Sequence, residues 1–121
     1  AAWFLVEHLL PRIKEKFPDA KLYIVGSEPS KRLLAVQSKS IVVTGFVENP
    51  ESYFMNAQIG VLPLMRGAGI KLKTLEMLGC GIPVVTTDIG AEGVSDNELL
   101  MVVRLDEITD TVINIFTHLA N

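Results

Sequence analysis

Residues 67–93, GAGIKLKTLEMLGCGIPVVTTDIGAEG, set out a glycine turn, a helix with one inward acid, a second glycine break and an apolar strand. Gly67 and Gly69 let the backbone turn tightly after the apolar run Ile59 to Leu64, and they leave no side chain to block a ligand from the peptide nitrogens. The helix that follows offers its unpaired N–H groups and positive dipole end to an anion. Glu76 lies seven residues beyond Gly69, about two turns and roughly 10 Å further along the same face. That separation suits a nucleotide: phosphates at the helix start, ribose hydroxyls at the carboxylate, an acceptor that suits a diol.

Outward from this stretch, helix signals alternate with short apolar runs. Strands are expected at 21–26, 41–44, 59–62, 83–86 and, with the weakest pattern, 99–103. Helices are expected near 30–37, 51–56, 69–79 and 106–119. In the last of these, Ile108, Val112, Ile115, Phe116 and Leu119 form one apolar face and Asp106 is the expected N-cap. The opening AAWFLVEHLLPRIKEKF reads as an amphipathic helix with Val6, Leu9, Leu10, Ile13 and Phe17 on one side, kinked or divided by Pro11. It lacks the ending of a signal peptide. Such alternation indicates parallel βαβ units, a Rossmann-like α/β class, with no repeat or linker visible.

Composition agrees with that class. The 121 residues suit one modest domain, with 49% hydrophobic and 21% charged residues. A mean hydropathy of +0.36 fits a sheet covered on both faces. Net charge is −3, and the basic residues are scattered apart from Lys71 and Lys73, which argues against nucleic acid as a partner. No apolar segment approaches the roughly 20 residues of a membrane span. Cys80 is the one cysteine, with no ligand set around it for a metal, and reads as a small core residue. His8 and His118 lie far from the glycine turn, and no nucleophile, base and orienting acid stand together.

Four stretches carry a family resemblance: FPDAKLYIVGSEP at 17–29, VVTGFVENPESYF at 42–54, IGVLPLMRGAGIKLKTLEML at 59–78 and GIPVVTTDIGAEGV at 81–94. In this order and spacing the chain resembles the C-terminal, donor-binding domain of the retaining glycosyltransferases of family 4 (glycosyl transferases group 1), which have the two-domain GT-B architecture. The resemblance covers nearly the whole chain. It implies that Glu76 binds the donor's ribose, where a solvated helix carboxylate paired with Lys73 or with a neighbour is the structural alternative. It also implies that Gly67, Ala68, Gly69 and Ile70 cradle the diphosphate through backbone N–H groups. Lys71, Lys73 and Arg66 are the cations near that diphosphate. Lys71 belongs to a GAGIK block that a subgroup of the family carries, and is the candidate for a catalytic part. Gly26, with Ser27 and Glu28, and Gly45, with Phe46 and Val47, end strands on the ligand side; in the family the loop matching 45–47 borders the base. Glu92 is an outlying candidate. The family often has a second, sugar-contacting acid eight positions before the ribose acid, and here that position is Ala68.

Doubly wound domains run in strand order 3-2-1-4-5-6 and bind ligands at the switch point beside the first strand. By the resemblance the five strands correspond to strands two to six, so residues 1–121 read as one nucleotide-sugar-binding domain truncated at its N-terminus. Two unpaired edges would follow, so strand 21–26 is expected to pair directly with strand 59–62, or a partner chain to supply the missing strand.

The implied reaction moves a sugar (a hexosyl group) from a nucleoside-diphosphate sugar to an acceptor hydroxyl, with configuration kept. It requires no metal or other cofactor. The missing N-terminal acceptor domain is the expected partner, the location is cytoplasmic with peripheral membrane contact through that domain as a variant, and this chain alone is expected to be inactive. A non-catalytic interaction domain, self-associating through its sheet edges, is the alternative. A phosphoacceptor receiver domain fails because no acidic cluster sits at the first strand end to hold magnesium.

Overall fold

The apolar runs fold as five short parallel strands separated by helices, seen in a computed structural model that describes residues 2–65 and 72–119. The chain opens with α1 (Ala2–Phe4), a π-helical turn (Leu5–Leu9) and α2 (Leu10–Lys16). It continues through β1 (Leu22–Val25), α3 (Lys31–Ala35), β2 (Ile41–Gly45), α4 (Glu51–Met55), β3 (Gly60–Leu62) and α5 (Leu72–Gly79). Then come β4 (Val84–Thr86), α6 (Asp88–Ala91), β5 (Leu100–Val102), a 3-10 turn (Leu105–Glu107) and α7 (Ile108–Leu119).

Pro11 does not divide the first helix. It lacks the N–H that would bond the carbonyl of Glu7, and its ring crowds that carbonyl. The chain widens for one turn instead, so that the Leu10 N–H bonds the Leu5 carbonyl, before α-helix resumes. Asp106 is not the cap of the last helix either. Its carboxylate binds the Arg104 guanidinium at 3.1 Å and raises the pKa of that group, while Glu107 accepts the Arg104 backbone N–H at 2.9 Å.

β4 is the centre of the buried structure. Val84 and Val85, both 0% exposed, point to opposite faces of the strand, as alternation requires. Val85 meets Leu9 and Ile13 of the first helix and Ile108 and Val112 of α7; Val84 meets Phe54 of α4, Met77 of α5 and Ile82. Helices therefore cover both faces of the strand. Burying each valine contributes on the order of 1.5 kcal/mol of transfer free energy. Of the expected apolar faces of the first helix and α7, Leu9, Leu10, Ile13, Ile108 and Val112 are buried, Val6, Phe17, Ile115 and Phe116 are half-buried, and Leu119 is exposed.

The strands make two parallel sheets, β1-β2 and β3-β4-β5. Leu22 stands opposite Ile41, with an irregularity after Ile24; Val61 stands opposite Val85, and Val85 opposite Met101. The expected direct pairing of strand 21–26 with strand 59–62 does not form. The two strands are joined through side chains instead. Phe4, Leu5 and Phe17 of the first helical segment share a core with Ala20 at the foot of β1 and with Ile59 and Val61 of the β3 segment. Leu22 N–H bonds Ser40 and Gly60 N–H bonds Pro83. By alternation, Tyr23 and Val25 on β1 and Val61 on β3 turn their backbone groups to the edges that no described strand pairs.

Candidate functional site

α5 brings one predicted cation, Lys73, to the end of β1 and carries the predicted acid, Glu76, one turn further along. Thr74 and Met77 face inward and fix which side of the helix meets the sheet. A three-residue step places Glu76 about 60° around the helix from Lys73, on the same flank. Lys73 is exposed, yet its ammonium donates a 2.7 Å hydrogen bond to the Val25 carbonyl on the unpaired edge of β1. Gly26 follows with φ of +155°, and a Cβ placed there would stand 3.1 Å from the Lys73 nitrogen. The backbone favours glycine at that position, and a Cβ there would press on the mobile end of the lysine. Glu76 is half-buried, and among the described residues no ion pair joins it to Lys73, so the surface pairing that sequence allowed is not the one formed.

The other predicted residues are placed less closely. Gly67, Ala68, Gly69, Ile70 and Lys71, with Arg66, lie outside the described residues. Gly45 ends β2 with φ of +69°, Phe46 beyond it is 75% exposed, and Val47 is half-buried. These three share the C-terminal side of the strands with Gly26, but among the described residues no hydrogen bond ties them to Lys73 or Glu76. Glu92 closes α6 and is exposed. Gly81, with φ of +80°, ends α5 as the sequence predicted.

Three threonines escaped the sequence reading. The Thr74 hydroxyl donates to the Gly90 carbonyl at 2.9 Å, Thr86 to Leu62 at 2.8 Å and Thr87 to Leu64 at 2.6 Å. All three are buried, and they tie α5, α6 and the ends of β3 and β4 together. One signal was present in the sequence: Thr74 is a polar residue three positions before Met77, on the inward face of an amphipathic helix. A polar side chain at such a position needs a partner.

A concavity of about 480 Å³ lies elsewhere, between the first helix and the start of α7, lined by Glu7, His8, Arg12 and Asp110 among others. It is an open groove at whose wall Arg12 already pairs with Asp110 at 3.1 Å. Parallel α/β sheets take ligands at the C-terminal ends of their strands, which favours the Lys73–Gly26 side. Among the described residues no group of three or more His, Cys, Asp or Glu could hold a metal ion, and no helix is long and apolar enough to cross a membrane.

Compared with known families, the sequence matches that of the glycosyl transferases group 1 over residues 1–118. The chain belongs to that family. This glycosyltransferase chain is also similar to a protein described as an uncharacterized 44.6 kDa protein in the cps region of Klebsiella pneumoniae, at 28% identity over 116 residues. The match takes in 88% of this chain and 30% of the relative, so the glycosyltransferase sequence in hand spans under a third of that protein's length.

Proposed function

We propose that this chain binds the nucleoside-diphosphate part of a sugar donor, as the C-terminal half of a retaining GT-B glycosyltransferase of family 4 type. The observation that supports the reading is the reach of Lys73, on the helix that carries Glu76, to Val25 beside Gly26 at the end of β1. Glu76 is the ribose acceptor in this reading. Lys73 and Lys71 offset phosphate charge, and the backbone of Gly67 to Ile70 supplies donors to it. Departure of the diphosphate is eased by those charges, without a metal, while the sugar passes to an acceptor hydroxyl with its configuration kept. An N-terminal domain holds the acceptor, so the isolated chain binds donor without turning it over, and the protein works in the cytoplasm. Titration calorimetry with UDP, GDP and ADP tests this. Heat from one of them, reduced at least tenfold in affinity by Glu76→Ala, supports the donor site; no heat at millimolar nucleotide sinks it.

A second reading rests on the unpaired edges of β1 and β3. In it the fold is kept as a non-catalytic interaction domain that self-associates by strand pairing. Sedimentation equilibrium separates the two: a stable dimer without nucleotide affinity supports the second reading, and a monomer that binds nucleotide removes it.

A further inference from the structure

The described residues of α5 span eight positions, and apolar packing alone sets the rotation of so short a helix weakly, because hydrophobic contact has no direction. Rotation matters here. Side chains reach about 5–6 Å from a helix axis, so turning the helix by about 20° moves a carboxylate at its rim by roughly 2 Å, enough to lose a hydrogen bond.

A chain of directed contacts runs from the sheet to the inner face of this helix. Thr86, 0% exposed, bonds the Leu62 carbonyl and so ties β4 to the end of β3. Gly90 lies directly against Thr86, with no room there for a Cβ. The Gly90 carbonyl accepts the hydroxyl of Thr74, itself 0% exposed, at 2.9 Å. On the helix Thr74 lies about 100° from Lys73 and about 160° from Glu76. Its direction inward therefore sets theirs outward.

We infer that Thr74 is a positioning residue of the donor site, its buried hydroxyl holding α5 at the rotation that turns Glu76 and Lys73 toward the end of β1. The inference rests on the donor-site reading above, and its ligand is the same nucleoside diphosphate. Thr74→Val keeps the shape of the side chain and removes the donor; Thr74→Ser keeps the donor and removes the methyl group.

The test measures melting temperature and nucleotide affinity on the full chain, using whichever of UDP, GDP and ADP the unaltered chain binds. The expected result is an affinity about tenfold weaker in Thr74→Val and within about twofold of the unaltered chain in Thr74→Ser, although both lower the melting temperature. If Thr74→Val does not fold, Thr74→Ser and Thr74→Cys serve as a matched pair of equal shape, one with a strong donor and one with a weak one. Equal affinities across the pair overturn the inference while leaving the donor site standing. Binding of none of the three nucleotides by the unaltered chain removes the donor-site reading, and this inference with it.

Discussion

The ammonium of Lys73 donates a 2.7 Å hydrogen bond to the carbonyl of Val25, 48 residues away, and so ties α5 to the unpaired edge of β1. In a continuous sheet that carbonyl would accept from a neighbouring strand. Here a side chain does so, and it comes from the helix that carries Glu76.

Replacing Lys73 by methionine keeps most of the apolar stem and removes the donor. Water reaches the exposed site and replaces part of the bond, so the expected loss is about 1 kcal/mol, a fall in melting temperature of about 4 °C. Thermal unfolding followed by circular dichroism measures it. An unchanged melting temperature would show that the contact ties nothing.

Three glycine-to-alanine changes should rank by what the new methyl group meets. At Gly90 it overlaps the side chain of Thr86, which is buried and already bonded to Leu62, so neither can yield; the expected cost is about 3 kcal/mol. At Gly60 it meets the flexible end of Met77, and about 1 kcal/mol is expected. At Gly79, in the last turn of α5 with open space around it, alanine should stabilise by about 0.5 kcal/mol. Urea unfolding of the three variants gives the order directly, and any other order counts against this packing.

Trp3 is the one tryptophan, and the Arg32 guanidinium stands 4.0 Å from the centre of its ring. Arg32 also pairs with Glu7 at 3.6 Å, so α3 is fastened to the first helical segment at this point. Arg32→Ala should change the emission of Trp3 and cost about 0.5 kcal/mol, the usual worth of an exposed cation–π contact. Fluorescence spectra of the folded variant test the contact without reference to stability. Identical emission would place Arg32 elsewhere.

Much of the fold was legible because each element writes its own period into the sequence. All five expected strands form, and the inward face of α7 is set by Ile108 and Val112, as spacing required. α6 was not foreseen, since four residues, DIGA, are too few to show a helical repeat. The π turn before Pro11 was read as a kink or a division of the helix, because sequence marks the missing donor without saying how the backbone absorbs it. At the candidate site, Glu76, Lys73 and Gly26 were legible as residue types, whereas Thr74 passed as an ordinary helix position.

The sequence by itself determined that this chain alternates helix and parallel strand, which helix faces turn inward, and which family it resembles. Those properties follow from local apolar periodicity and from motifs that keep their order. Only the tertiary structure decided that β1 and β3 do not pair, that the Lys73 ammonium takes the Val25 carbonyl, and that the Thr74 hydroxyl reaches Gly90. Each of these depends on the distance between elements far apart in the chain. That distance is set by the thickness of the side chains packed between them, and no local period records it.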